Sequence, residues 1–172
     1  MKAIIIEIKA RCHNPEEIEL ILLNNNARYE GSDRQIDTYF NSDSGQVKLR
    51  EGNIENSLIY YQRKERKGQK KSEVTLYKTT GESNALKDIL ANTMGIKIVV
   101  DKTRKIFFIE NVKFHIDLVK GLGSFVEIEA IDISGKMGEE ELRKQCDDFI
   151  RLLGLKDAEF LDQSYSDMIS LK

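Results

Sequence analysis

The sequence predicts an α+β protein: an eight-stranded antiparallel closed barrel with helices packed on its outside. Three observations lead to this. Strand-like alternation recurs about eight times, most connections are of hairpin length, and a charged face returns from strand to strand. The first strand shows the pattern most clearly. In residues 4–11, Ile4, Ile6, Ile8 and Ala10 fall on one face, and Ile5, Glu7, Lys9 and Arg11 on the other.

The remaining elements follow in order. Asn14-Pro15-Glu16-Glu17 has the form of a helix start, with a capping residue, proline at the first helical position and acids in the first turn. Ile18, Ile21 and Leu22 continue it at helical spacing, and Asn24-Asn25-Asn26 end it. Strands are expected at 34–41, 46–50, 57–65 and 73–79, separated by turns at Asp43-Ser44-Gly45 and Gly52-Asn53. The Lys- and Arg-rich run around Gly68 reads as a solvated hairpin tip. A helix is expected over 83–94, with Gly95 just past its end. Strands follow at 96–105, 106–110, 112–120 and 124–132, then a long amphipathic helix over 138–153. The tail from 157 reads as short helical turns or coil.

The bulk composition sets limits. A chain of 172 residues with 40% hydrophobic content fits one domain, residues 1–172, with a core of its own. Its 27 Lys and Arg are balanced by 29 Asp and Glu, giving a net charge of -2, so no nucleic-acid partner is expected. Cys12 and Cys146 lie far apart and form neither a disulfide framework nor a thiolate metal motif. No apolar run is long enough to span a membrane, and the N-terminus lacks the shape of a signal peptide. A cytoplasmic protein, monomeric or homodimeric, is the expectation.

The charged faces carry the functional reading. Lys48 and Arg50 share a face, as do Lys102 and Arg104. Lys113, His115 and Asp117 lie opposite Phe114, Ile116 and Leu118, and Glu127 and Glu129 lie opposite Val126, Ile128 and Ala130. Two arrangements produce this pattern: a sheet with one wet face, or a sheet closed into a tunnel with Lys, Arg, Asp and Glu inside. A charged tunnel is costly to bury unless a polyanion and divalent cations complete its balance. Lys and Arg would then hold phosphate oxygens, and carboxylates would hold Mg²⁺ or Mn²⁺.

Several segments together carry a resemblance. They are Glu7-Ile8-Lys9-Ala10-Arg11, Asp37-Thr38-Tyr39-Phe40, Lys48-Leu49-Arg50, Asp101-Lys102-Thr103-Arg104, Lys113-Phe114-His115-Ile116-Asp117, the stretch from Gly121-Leu122-Gly123 to Glu127-Ile128-Glu129, and Ser164-Tyr165-Ser166-Asp167. Each is weak alone. In this order, over nearly the whole chain, they resemble the CYTH domain of the triphosphate tunnel metalloenzyme superfamily, and within it the class IV adenylate cyclase branch.

The resemblance implies a tunnel that takes ATP or another triphosphate with Mg²⁺ or Mn²⁺. Glu7, Asp117, Glu127 and Glu129 would form the metal side. Lys9, Arg11, Lys48, Arg50, Arg63, Lys78, Lys102, Arg104 and Lys113 would bind the triphosphate, and Glu7, Lys9, Asp117 and Glu127 would be catalytic. The expected activity is a lyase reaction converting ATP to cyclic AMP and pyrophosphate. Hydrolysis of inorganic triphosphate, thiamine triphosphate or a nucleoside triphosphate is the alternative, and a non-catalytic module for phosphorylated ligands is a third. One departure stands out: the family signature Glu-x-Glu-x-Lys has Ile5 at its first acidic position.

Overall fold

Eight strands close on themselves in the order β1-β5-β4-β3-β2-β6-β7-β8, each antiparallel to both neighbours. They are β1 (Lys2–Arg11), β2 (Arg28–Phe40), β3 (Gln46–Glu51), β4 (Ser57–Lys64), β5 (Lys70–Lys78), β6 (Ile96–Ile109), β7 (Val112–Val119) and β8 (Gly123–Asp132). Among the described residues four helices accompany them: α1 (Pro15–Asn24), α2 (Asn84–Met94), α3 (Glu139–Leu152) and α4 (Tyr165–Ser170), with a 3-10 turn at Asp157–Glu159. The structure is a computed structural model that describes residues 2–64, 68–79 and 83–171. The side chains of Arg63 and Lys64 lie outside the described residues.

Alternation gives the barrel two unlike faces. Ile6, Ile8 and Ala10 of β1 point outward, as do Phe114 and Ile116 of β7 and Val126, Ile128 and Ala130 of β8. They meet Ile18 and Leu22 of α1 and Leu142 and Cys146 of α3. The largest apolar core therefore lies between the barrel and its helices, leaving the interior to polar side chains. Both cysteines are free and buried. Acids in the first turn of α3 and Arg151 in its last turn match the helix dipole.

A second apolar cluster closes one end of the barrel. Tyr39, Val100, Val119 and Phe125 there meet Tyr165 and Met168 of α4. A capping box fixes the start of that six-residue helix: the Asp167 N–H donates to Ser164 Oγ at 3.1 Å, and the Ser164 N–H donates to Asp167 Oδ2 at 3.0 Å. The segment expected to be short turns thus becomes a plug, and Tyr39 and Tyr61 pack inside it.

Three strand boundaries differ from expectation, the first being β5, which begins at Lys70 rather than 73. Residues 96–105 and 106–110 form one continuous strand, because Lys105 and Ile106 keep register with both β2 and β7. Strand β2 begins at Arg28 rather than 34. A register shift between Tyr29 and Gly31, with Gly31 at φ +145°, breaks the alternation that would have revealed its first half. The basic run near Gly68 also differs where it is described. Lys70 is buried, donating to the Leu161 and Asp162 carbonyls, and Lys71 pairs with Glu139 of α3 at 2.7 Å. Residues 65–67 lie outside the described residues.

Candidate triphosphate site

The inward faces of the strands bring acids and bases together in three groups. In the first, the Asp37 carboxylate takes three cations. Lys102 Nζ donates to it at 2.6 Å, Lys48 Nζ at 3.0 Å, and Arg50 approaches with two nitrogens at 2.8 and 3.0 Å. Asp37 and Lys102 side chains are each 1% exposed. Burial works to raise the Asp37 carboxyl, but Arg50, Lys102 and Lys48 outweigh it and hold it well below the usual carboxylate range.

In the second group, Arg104 forms a fork on Asp117, with Nε at 2.7 Å and Nη2 at 2.5 Å, and reaches Glu127 at 2.6 Å. Lys9 pairs with Glu127 at 3.1 Å and lies 3.7 Å from the centre of the Tyr165 ring. The Tyr165 hydroxyl donates to Asp117 at 2.7 Å, so the α4 plug is tied to the charged lining. Burial, reinforced by the charges of Asp117 and Glu127, pushes that phenol well above its ordinary range. His115 Nδ1 lies 3.1 Å from Glu127 and 3.7 Å from Glu129. Burial and then Arg104 lower the His115 pKa, so the ring is neutral at neutral pH.

The third group centres on Glu55, which the loop at residues 52–56 delivers. Its carboxylate accepts from Arg50 at 2.8 Å, from Gln35 at 3.1 Å and from Lys113.

The expected site residues distribute as follows. Lys9, Lys48, Arg50, Lys102, Arg104, Lys113, Asp117 and Glu127 converge in these ion pairs, and Glu129 joins through His115. Glu7 faces Ser72, whose hydroxyl donates at 3.4 Å, and pairs in register with Glu129. Arg11 is exposed, its guanidinium 5.3 Å from the centre of the Phe125 ring, and Lys78 is exposed at the end of β5. The structure does not bring these two into the charged groups. The backbone of Arg63 pairs with Ser72, and its side chain lies outside the described residues.

Asp33, Gln35 and Glu55 were not among the expected residues, and Asp37 entered only as part of a motif. The spacing Asp33-x-Gln35-x-Asp37 was the available signal, since it puts polar side chains on one strand face. Glu55 had no such signal, because it lies on a loop.

For a divalent cation, His115, Glu127 and Glu129 offer ligand atoms within 4.8 Å of one another. Two carboxylates and an imidazole suit Mn²⁺ and related cations. His115 Nε2 is buried without a hydrogen-bond partner among the described residues, so the ring still has capacity for a ligand. The donor set therefore fits such an ion. Both Asp117 oxygens are held by Arg104, which makes that carboxylate the support of the guanidinium.

A hollow of about 10 Å³, lined by Glu7, Ile8, Lys9, Lys70 and Glu127, is about the size of one water, so a phosphate enters there only if those side chains part. A larger groove of about 660 Å³ runs along residues 40–46 and 93–97, and none of the residues in the three charged groups lines it.

Comparison with known proteins places this geometry. The CYTH domain model matches residues 3–165, and the chain belongs to that family. The PH1012 protein of Pyrococcus horikoshii OT3 is similar, with 25% identity, a TM-score of 0.81, and coverage of 95% of this chain and 98% of that one. A Vibrio parahaemolyticus protein provisionally assigned as an adenylate cyclase gives a TM-score of 0.77 at 16% identity, over 96% and 97% of the two chains. A protein from Hippeastrum, described as having a dominant triphosphatase activity, gives 0.62 at 14%, over 99% and 96%. No curated protein matches the chain. No helix among the described residues is long and apolar enough to cross a membrane.

Proposed function

We propose that this CYTH protein is a divalent-metal-dependent enzyme acting on a triphosphate, with conversion of ATP to cyclic AMP and pyrophosphate as the leading reaction. The observation that supports it is the closed barrel whose interior interleaves cations and carboxylates. Arg50, Lys102 and Arg104 are buried on one bore, and a chain of phosphates offers them more negative charge than Asp37, Glu55 and Asp117 together.

In cyclisation, the ribose 3′ oxygen attacks the α-phosphorus, its proton leaves to solvent or a base, and the bond to the β-phosphate oxygen breaks to release pyrophosphate. Lys9, Lys102, Arg104 and Arg50 hold the phosphates in line and stabilise charge on the departing pyrophosphate. Glu127, Glu129 and His115 would hold a divalent ion, which would supply Lewis-acid charge to the reaction.

Hydrolysis of the terminal phosphate is the second reading. The Hippeastrum protein's triphosphatase activity supports this reading. Ile5, which stands between Ser72 and Ile131 where the family signature has an acid, favours instead a third reading, a non-catalytic module for phosphorylated ligands. Incubation with ATP and Mn²⁺, with products separated, distinguishes the first two. Cyclic AMP and pyrophosphate support cyclisation, orthophosphate supports hydrolysis, and absence of turnover with ATP, thiamine triphosphate and inorganic triphosphate alike contradicts an enzyme. Turnover of either kind is expected to vanish in EDTA and return with Mn²⁺.

A pH effect follows from Lys102. Burial lowers its pKa to about 7, with the positive charges of Arg50, Arg104 and Lys48 adding to burial and Asp37 opposing it. In the unfolded chain a lysine titrates near 10.4. Between about pH 7 and 10 the unfolded state binds the proton that the folded state has lost, so this group makes stability rise with pH across that window. A bound polyanion favours the charged form instead. At pH 8, tripolyphosphate binding is expected to draw a proton onto Lys102. Calorimetry in two buffers of different ionisation enthalpy measures it, and Lys102→Met is expected to remove it.

A further inference from the structure

The loop at residues 52–56 lies at the end of the barrel opposite the α4 plug. Strand β3 runs from the turn at 41–45, beside Tyr39 and the plug, to this loop. Backbone hydrogen bonds hold the loop in place. The fully buried Asp33 carboxylate accepts the N–H groups of Asn53 at 2.5 Å, Ile54 at 2.9 Å and Glu55 at 2.9 Å. The Asn56 side chain accepts from the Gly52 N–H at 3.1 Å and donates to the Gly52 carbonyl at 2.8 Å. A Cβ on Gly52 would stand 2.7 Å from the Asp33 oxygens, so only glycine lets the loop sit this close.

The loop aims Glu55 across the bore. Its carboxylate joins Arg50 of β3 to Lys113 of β7, strands that are not neighbours, and takes the Gln35 amide as well. Burial acts to raise the Glu55 carboxyl, yet the charges of Arg50 and Lys113 prevail and keep it ionised. Apolar packing does little to hold the loop, since Ile54 is 41% exposed. Arg50, Lys113 and Gln35 are all donors, and the group they hold is a single tethered negative charge.

We propose that Glu55 sits in a phosphate subsite, as a tethered surrogate that a phosphate group must displace to bind Arg50 and Lys113. This rests on the triphosphate reading above and adds a specificity device to it. A terminal phosphate carries up to about two negative charges and three acceptor oxygens, so it outcompetes one carboxylate for these donors. A weaker anion does not, because the tether keeps the local concentration of Glu55 high. The Asp33 hydrogen bonds supply that tether. The device sets a threshold: the barrel admits highly charged phosphate chains and stays closed to lesser anions.

The test is calorimetric titration with inorganic tripolyphosphate in EDTA, which keeps metal out of the comparison. Glu55→Gln keeps the side-chain shape, and Arg50 retains Asp37. It is expected to bind tripolyphosphate at least tenfold tighter than wild type. Asp33→Asn, which loosens the tether, is expected to shift affinity the same way. Glu139→Gln removes an equal charge from the outer helix α3 and is expected to change nothing. If wild type binds and Glu55→Gln binds equally or more weakly, the surrogate is refuted while the tunnel reading stands. If neither binds, in EDTA or with Mg²⁺ present, the tunnel reading falls and the surrogate with it.

Discussion

Asp37→Ala is expected to produce the largest loss of stability of any single change in the barrel. Three cations lean on this carboxylate, from β3 and β6, and it is almost wholly buried. Removing it leaves Lys48 and Lys102 without that partner in a poorly solvated interior, while Arg50 keeps Glu55. Breaking a buried pair from one side costs about 3–5 kcal/mol. For a domain of this size that lowers the melting temperature by roughly 6–20 °C. Tripolyphosphate supplies the missing negative charge, so it is expected to restore a larger share of stability in the variant than it adds to wild type. Thermal melts with and without the polyanion read both effects. A variant that melts with wild type would show that the three cations do not depend on Asp37.

Lys9→Ala and Glu127→Ala are expected to remove metal-dependent turnover while leaving the protein folded. Lys9 is held between Glu127 and the Tyr165 ring. Glu127 collects Lys9, Arg104 and His115, and is one of the three groups able to hold the cation. Neither is the sole support of its neighbours, since Arg104 keeps its fork on Asp117 in both variants. Losing one preorganised electrostatic contact to a transition state costs about 10²–10³ in rate, and Glu127 also carries metal, so its loss is expected at or beyond that range. Initial rates with Mg²⁺ and with Mn²⁺, beside far-ultraviolet circular dichroism, check this. Full activity in either variant would place the chemistry elsewhere.

What the sequence revealed, and what it hid, has a common physical origin. A barrel with apolar side chains under outer helices and charges within writes a two-residue period into every strand. That period exposed Glu7 and Lys9, Lys48 and Arg50, Lys102 and Arg104, and Glu127 and Glu129 without any structure. It failed where the backbone departs from regular geometry. The bulge at Gly31 hid the start of β2, and with it Asp33. A loop has no period, so nothing in the residues around Glu55 announced that it crosses the bore. Alternation also states a face without stating depth. Arg11 and Lys78 have the expected parity yet are exposed near strand ends. The helix α4 opens within the segment Ser164-Tyr165-Ser166-Asp167 that the resemblance singles out, but its hold on Asp117 depends on the Tyr165 hydroxyl reaching across from another element.

Ile5 gains a structural setting as well. It sits in register between Ser72 and Ile131, one alternation step beyond Glu7, so the wall carries no acid at that position. The cation site assembled from His115, Glu127 and Glu129 does not include that position.

The most direct test of the central claim is equilibrium binding of tripolyphosphate in Mg²⁺ to wild type and to folded Lys102→Met. Lys102 lies at the centre of the cation group and its side chain is almost wholly buried, so surface charge cannot substitute for it. The expected result is one site per chain in wild type, weakening as salt rises, and a loss of at least tenfold in the variant. Equal binding by the two proteins would contradict a triphosphate seat inside the barrel.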